Sequence, residues 1–219
     1  MQEKIAVISG AGSGLGASLA KKYSDAGYQI VLTGRNKRRL IQAAKTLNGK
    51  YYIYTMDVTS RNEISEVFSS IQKEIGSIEL LINNAGLGMF GKAEEIDEKS
   101  IHSMIDTNLK GTIFCTQEVL PSMKERDKGV IVNIISTAGL IGKVTESVYC
   151  ASKFGVRGFT ESLYEELKNT NVHVIGAYMG GMKTEFWDDI LTDEQTKNFM
   201  DPNDIADIII NNTIERKNL

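Results

Sequence analysis

The pentad Tyr149-Cys150-Ala151-Ser152-Lys153 carries two side chains that together could transfer a proton. On a helix, residues four apart lie on one face, so the phenol of Tyr149 and the ammonium of Lys153 would project together. A lone tyrosine titrates at about pH 10, whereas a cation roughly 4 Å away lowers that pKa by about three units at an effective dielectric of about 20. We therefore predict a tyrosine that transfers protons at neutral pH, although this spacing also occurs in ordinary surface pairs of amphipathic helices.

Short apolar runs rich in valine and isoleucine alternate along the chain with longer segments of helical period, which predicts βαβ units. The predicted strands are 4–9, 29–33, 51–56, 79–82, 130–135 and 172–178, and the predicted helices are 15–26, 38–47, 61–75, 99–125 and 149–168. Strands that are apolar throughout are buried on both faces, so we expect a parallel sheet with helices on each side. Such sheets bind ligands beyond the carboxyl ends of their strands.

A glycine-rich turn, SGAGSGLG at residues 9–16, follows the first predicted strand and precedes a helix. Without side chains, the backbone lets a diphosphate approach, and the helix N-terminus offers free N–H groups and a favourable dipole. This position predicts a dinucleotide site rather than a merely tight turn. The residues assigned to the cofactor here are Gly10, Ser13, Gly14, Leu15 and Gly16.

The end of the second strand indicates which dinucleotide is bound, because an acidic residue there would hold the adenosine ribose of NAD. No carboxylate occurs between Asp25 and Asp57, and the strand runs into the basic cluster GRNKRR at residues 34–39. Guanidinium groups suit a 2′-phosphate. We therefore predict NADP(H) in preference to NAD(H), with Arg35 as a cofactor residue.

Composition excludes several other classes of protein. The 219 residues, 42% apolar and 24% charged, suit one domain over 1–219, and a net charge of -3 with a pI near 5.6 gives no support for a nucleic-acid partner. Cys115 and Cys150 lack paired spacing, and neither His102 nor His173 lies in a ligand-spaced cluster, so we expect no disulfide and no metal. No apolar stretch has membrane-spanning length, so we expect no membrane partner and a cytoplasmic location.

Further polar motifs follow the later strands in a fixed order. They are Asp57-Val58 after the third strand, Asn83-Asn84-Ala85-Gly86 after the fourth, Asn108 in a helix, and Ser136, thirteen residues before Tyr149. Each alone could be a turn, a cap or an ordinary polar residue. Together with Gly10, Gly14 and Gly16 in the pattern Gly-x-x-x-Gly-x-Gly, they make the chain resemble the short-chain dehydrogenase/reductase family over nearly its whole length.

The resemblance implies a Rossmann-like doubly wound parallel sheet with strand order 3-2-1-4-5-6. Family members usually add a seventh edge strand, and we expect none here. Asp201-Pro202 instead opens a helix, with Ile205, Ile208 and Ile209 as its expected buried stripe. A second departure precedes this helix, because Met179 stands where the family commonly has proline.

The resemblance also implies hydride transfer between a nicotinamide and a small carbonyl or alcohol substrate, with Tyr149 as general acid/base. Lys153 would bind the nicotinamide ribose, Ser136 the substrate oxygen, and Asn108 a water that links Lys153 to solvent. The remaining implied cofactor residues are Asp57, Val58, Asn84, Ala85, Gly86, Met182 through its backbone, and Thr184. The alternative is a catalytically idle NADP(H)-binding regulator or scaffold; an enoyl reductase is disfavoured because that branch spaces its tyrosine and lysine more widely.

The segment 185–200 is the expected lid over the substrate. Apolar side chains in the loops around the site suggest an apolar or ring-bearing substrate; they are Met89, Phe90, Leu140, Val144, Met182, Phe186 and Trp187. For the acids Glu185, Asp188 and Asp189, we expect a solvated face rather than a substrate clamp. The resemblance further implies a homodimer or homotetramer through helices 99–125 and 149–168.

Overall fold

A six-stranded parallel sheet forms the centre of the computed structural model, which describes residues 4–188 and 190–215. Its strands are β1 (Lys4–Ser9), β2 (Tyr28–Gly34), β3 (Tyr51–Thr55), β4 (Ile78–Asn83), β5 (Gly129–Ile134) and β6 (Val172–Ala177). Their order is β3-β2-β1-β4-β5-β6, and every neighbouring pair is parallel. The predicted fold is confirmed, and each predicted strand end lies within one residue of the observed end.

Helices cover both faces of this sheet. They are α1 (Gly14–Asp25), α2 (Lys37–Ala44), α3 (Arg61–Glu74), α4 (Glu98–Met104), α5 (Gly111–Glu125), α6 (Ser147–Leu167), α7 (Asp193–Thr196) and α8 (Pro202–Glu215). Because side chains alternate along a strand, Ile8 of β1 packs in the apolar core beneath α1, α2 and α8, and Val7 packs in the opposite core beneath α3, α5 and α6. Burial on both faces explains the continuous apolar runs of the central strands β1, β2, β4 and β5, whereas the edge strands β3 and β6 are partly exposed.

The helix predicted over 99–125 is present, but its middle turn is π-helical rather than α-helical. Helix α4 ends at Met104, a π-helical turn spans Ile105–Lys110, and α5 begins at Gly111. A Cβ atom on Gly111 would lie 2.9 Å from the Val58 side chain, so the chain passes tightly over the loop after β3. Hydrophobic periodicity does not reveal such a turn, which is frequent at functional sites and here contains Asn108.

Helix α8 packs against α1 through an ion pair between Lys22 and Asp207 at 2.7 Å and a hydrogen bond between the hydroxyls of Tyr23 and Thr213 at 2.6 Å. Ile205 and Ile209 are buried as predicted, whereas Ile208 is 53% exposed and Ile210 takes its place in the core. Within residues 4–188 and 190–215, no strand follows β6. No helix in that part of the chain combines the length and apolar character needed to cross a bilayer.

Candidate active site

The glycine-rich turn between β1 and α1 has a backbone that side chains would disrupt. Gly10 and Gly14 have φ angles of 64° and 50°, in the left-handed region that favours glycine. A Cβ atom on Gly16 would lie 2.3 Å from the Gly10 carbonyl oxygen and 2.6 Å from Nδ2 of Asn84. Ser13 precedes α1 without a side-chain capping hydrogen bond, and Leu15 is buried in the core. The turn therefore leaves the α1 N-terminus open to a ligand at its backbone.

Ser9 ties this turn to the loop after β4. Its Oγ accepts hydrogen bonds from the backbone N–H groups of Asn84 and Ala85, each at 3.0 Å. Nδ2 of Asn84 donates to the carbonyl oxygens of Ser9 at 2.9 Å and Gly10 at 3.1 Å. Sequence reasoning missed Ser9, although a hydroxyl at the end of a buried strand was a signal that its neighbours needed a polar partner.

The loop after β6 also reaches the turn. Cγ2 of Thr184 lies 3.1 Å from where a Cβ atom on Gly14 would stand. Met182 pairs with Met200 in an isolated parallel bridge, which uses the Lys183 amide and the Gly181 carbonyl rather than the backbone groups of Met182 itself. Met179, in the position of the family's proline, is buried in the core and accepts a backbone hydrogen bond from Thr137 at 2.9 Å.

An open cleft of about 500 Å³ lies near the ends of β2 and β3, with Arg35, Thr59, Leu87 and Thr107 among its lining residues. Oδ1 of Asp57 accepts hydrogen bonds from both the backbone N–H and the hydroxyl of Thr59, at 2.9 Å each. The structure thus places Arg35 at the cleft, and Asp57 fixes the position of Thr59, which also lines it. Val58 packs against Gly111.

Tyr149, Ser136 and Lys153 meet beside the end of β5. The Ser136 hydroxyl lies near enough to the phenol of Tyr149 to influence its pKa. Nζ of Lys153 donates to the Ile134 carbonyl oxygen at 3.0 Å and lies 5.8 Å from the centroid of the Tyr149 ring. Tyr149 and Lys153 are 8% and 5% exposed. The helix face predicted from the pentad therefore exists, and it faces inward.

The electrostatics of this pair differ from the prediction. Burial raises the pKa of Tyr149 to about 12, against the opposing effect of the Ser136 hydroxyl. Burial also lowers the pKa of Lys153 to about 8. The predicted lowering of the Tyr149 pKa is wrong in this arrangement, because desolvation dominates and the ammonium points to the Ile134 carbonyl and the ring rather than the phenol oxygen.

The buried ammonium of Lys153 should make stability depend on pH. Its folded-state pKa of about 8 lies below the ordinary value of 10.5, so between these values the unfolded chain binds more protons and the unfolding free energy rises with pH. We expect the unfolding free energy of the wild type, relative to Lys153→Met, to rise by about 2 kcal/mol from neutral pH to about pH 10 in urea titrations. A pH-independent difference between the two proteins would contradict a buried, charged Lys153.

Asn108 is anchored by three hydrogen bonds. Its Nδ2 donates to the Leu87 carbonyl oxygen at 2.8 Å and to Oγ of Ser152 at 2.9 Å, and its Oδ1 accepts from the Leu87 N–H at 2.9 Å. Ser152 in turn donates to the Tyr149 carbonyl oxygen at 2.7 Å. Ser152 therefore couples the π-helical turn to α6; sequence reasoning missed it, although it lies within the pentad.

Gly86 completes this cluster. A Cβ atom there would lie 3.3 Å from Oδ1 of Asn108 and 3.6 Å from Nζ of Lys153. The absence of a side chain at Gly86 thus lets the loop after β4 approach both polar groups. Groups of three or more metal-ligating side chains are absent from the described part of the chain.

Aromatic side chains cover Tyr149. The Phe90 ring meets it edge to face at 5.4 Å between centroids, the Phe186 ring lies at 6.1 Å, and Trp187 stacks on Phe90 at 5.8 Å. Three of the seven predicted apolar residues therefore form a wall beside Tyr149. The other four divide between solvent and core: Met89, Leu140 and Val144 are exposed, and Met182 packs against the core of α1, α2 and α8.

A sequence profile described as short chain dehydrogenase matches residues 4–195, which include every strand of the sheet. The chain belongs to the short-chain dehydrogenase family. An uncharacterized oxidoreductase of Staphylococcus saprophyticus is 37% identical over 214 residues, covering 96% of this chain and 91% of that relative.

Solved structures of other short-chain dehydrogenases share the fold. A serine dehydrogenase complexed with NADP+ has a TM-score of 0.88 at 33% identity and covers 94% of this chain and 87% of its own. A short-chain dehydrogenase/reductase from Burkholderia phymatum in complex with NAD has a TM-score of 0.91 at 25% identity and covers 98% and 86%. One of these structures contains NADP+ and the other NAD, so relatives of this fold bind either nicotinamide cofactor.

Proposed function

We propose that this protein is an NADP(H)-dependent oxidoreductase that transfers hydride between the nicotinamide and a small carbonyl or alcohol substrate. The observation that carries the proposal is the cluster of Tyr149, Lys153 and Asn108, all buried, with the partly exposed Ser136 beside them. A nucleotide-binding scaffold would not require this set of groups, which disfavours the idle regulator. The turn fits a dinucleotide because its glycines carry no side chain that could block a diphosphate and because no side chain caps the α1 N-terminus.

Within this proposal, the cofactor when bound supplies the hydride, and the chain handles the proton. The raised pKa of Tyr149 keeps its phenol protonated at neutral pH, so Tyr149 donates the proton to the substrate oxygen during reduction. Ser136 hydrogen bonds the same oxygen as negative charge develops. Lys153 supplies positive charge and donors to the cofactor ribose, and Asn108 holds the π-helical turn against α6 through Ser152.

The proposed cofactor residues lie along one edge of the sheet. The diphosphate would meet Gly10, Ser13, Gly14, Leu15 and Gly16; the adenosine would meet Arg35, Asp57 and Val58; and the nicotinamide half would meet Asn84, Ala85, Gly86, Tyr149, Lys153, Met182 and Thr184. Arg35 at the cleft supports NADP(H) because a guanidinium suits a 2′-phosphate. Fluorescence titration should give a lower Kd for NADPH than for NADH; equal values would refute this choice of cofactor.

The aromatic wall of Phe90, Phe186 and Trp187 supports a ring-bearing or otherwise apolar carbonyl substrate, since rings favour edge-to-face or offset contact with other rings. The test is an NADPH-oxidation screen over aldehydes, diketones, quinones, steroids and pterin-like ketones. We expect activity with ring-bearing carbonyl compounds above activity with small aliphatic aldehydes. Tight cofactor binding without turnover of any compound would favour the regulator.

We further propose a homodimer or homotetramer formed through the outer faces of α5 and α6. Ala151, Phe154 and Gly158 are exposed on α6, and no atom lies within 4 Å of a Cβ atom placed on Gly158. The stripe of Leu163 and Leu167, in contrast, faces the sheet. A monomeric mass by light scattering at micromolar concentration would contradict the oligomer.

A further inference from the structure

An ion pair crosses the glycine-rich turn from α2 to the expected lid. Nη1 of Arg39 lies 2.8 Å from Oε2 of Glu185, and the two side chains are 56% and 55% exposed. Glu185 begins the short 3-10 helix Glu185–Trp187, which carries the two lid residues of the aromatic wall. Glu185 is exposed, as expected, and it also pairs with Arg39. Asp188 is exposed as well, and Asp189 lies outside the described residues.

Both sides of this ion pair pack closely against the glycine-rich turn. The Cβ atom of Arg39 lies 3.0 Å from where a Cβ atom on Gly12 would stand. Thr184, the neighbour of Glu185, makes the corresponding 3.1 Å approach to Gly14. The Arg39–Glu185 pair therefore spans the part of the turn that a dinucleotide diphosphate would approach, and it places a carboxylate beside the basic cluster of residues 34–39, where the sequence predicted no anion.

We propose that Glu185 is a specificity-determining residue that competes with the 2′-phosphate of NADP(H) for Arg39. This inference rests on the proposed cofactor function. An exposed carboxylate holds a guanidinium weakly, whereas a phosphate monoester offers more charge and more acceptor oxygens to the same planar donors. The 2′-phosphate therefore takes Arg39 and releases Glu185, and NADH, which lacks that phosphate, leaves the ion pair intact.

The exchange links cofactor identity to the lid. When Arg39 turns to the phosphate, the 3-10 helix Glu185–Trp187 loses its tether to α2, and Phe186 and Trp187 are freed to admit substrate above Tyr149. With NADH, the tether persists. Glu185 therefore opposes both the binding of the phosphorylated cofactor and the opening of the aromatic wall.

The test compares Kd values for NADPH and NADH in four proteins, each the full chain. They are the wild type, Glu185→Gln, Arg39→Gln and the double variant Arg39→Gln/Glu185→Gln. Glu194→Gln is the matched control, because Glu194 is another exposed lid glutamate and pairs with Lys197 instead. We expect Glu185→Gln to raise the ratio of the NADH Kd to the NADPH Kd by about two- to fivefold, the scale of an exposed ion pair. The ratio should not change in Glu194→Gln, nor when Glu185→Gln is added to Arg39→Gln.

The possible failures are distinguishable. If the wild type prefers NADPH but Glu185→Gln leaves the ratio of the NADH Kd to the NADPH Kd unchanged, only the role of Glu185 is overturned. The same holds if Glu185→Gln shifts that ratio equally in the Arg39→Gln background. A wild type that binds both cofactors equally overturns the proposed NADP(H) preference, and a wild type that binds neither overturns the proposed function together with this inference.

Discussion

Tyr149→Phe should bind NADPH as tightly as the wild type and lose turnover by about a hundredfold or more, the scale of a positioned general acid. The substitution removes only the hydroxyl, which is the proposed proton donor. The ring that meets Phe90 and Phe186 remains, so the aromatic wall and the fold should be unchanged. Steady-state kcat with the best substrate of the screen and a fluorescence Kd for NADPH measure the two effects separately.

Tyr164→Phe is the matched control for this experiment. Tyr164 lies on the same helix, α6, and is 55% exposed, so the loss of its hydroxyl should leave both turnover and cofactor binding at wild-type values. If Tyr149→Phe retained turnover within a few-fold of the wild type, Tyr149 would not be the proton donor, and the reaction would need another acid.

Gly16→Ala should both destabilise the protein and weaken cofactor binding. The added methyl would lie 2.3 Å from the Gly10 carbonyl oxygen, a backbone atom, and 2.6 Å from the Asn84 amide that anchors the turn. The turn must move away from α1, which we expect to lower the unfolding free energy by about 1–3 kcal/mol, as for other overpacked sites. We expect the NADPH Kd to rise by roughly tenfold or more, which corresponds to about 1.4 kcal/mol of lost binding free energy.

Gly142→Ala provides the matched control. Gly142 is exposed, no atom lies within 4 Å of a Cβ atom placed there, and its φ angle is outside the left-handed region, so alanine fits without strain and restricts the unfolded chain. Urea denaturation should therefore show unchanged or increased stability, and fluorescence titration an unchanged NADPH Kd. A Gly16→Ala protein with wild-type stability and affinity would show that close packing of the turn on α1 is unimportant for the cofactor.

Local sequence pattern was sufficient for the architecture. Continuous apolar runs predicted strands buried on both faces, and β1 to β6 begin and end within one residue of the predicted positions. The pairing of Tyr149 with Lys153 was also predictable, because a spacing of four residues places both side chains on one face of any helix. Neither inference depends on which other element packs nearby.

The tertiary structure decided the properties that depend on distant residues. The π-helical turn at Ile105–Lys110 replaces α-helical hydrogen bonding in the middle of a helix whose periodicity is uninterrupted in sequence. Ser152 acquires its partner from Asn108, 44 positions away, and Arg39 pairs with Glu185 from a loop beyond the last strand.

The same dependence explains the incorrect pKa prediction for Tyr149. Sequence spacing brought a cation near the phenol, but the pKa depends on what surrounds both groups. Phe90 and Phe186, from two separate loops, cover the ring, and burial raises the pKa of Tyr149 to about 12 while it lowers that of Lys153 to about 8. Because desolvation acts through the whole surrounding volume, only the folded chain shows that the phenol of Tyr149 is held in its protonated form.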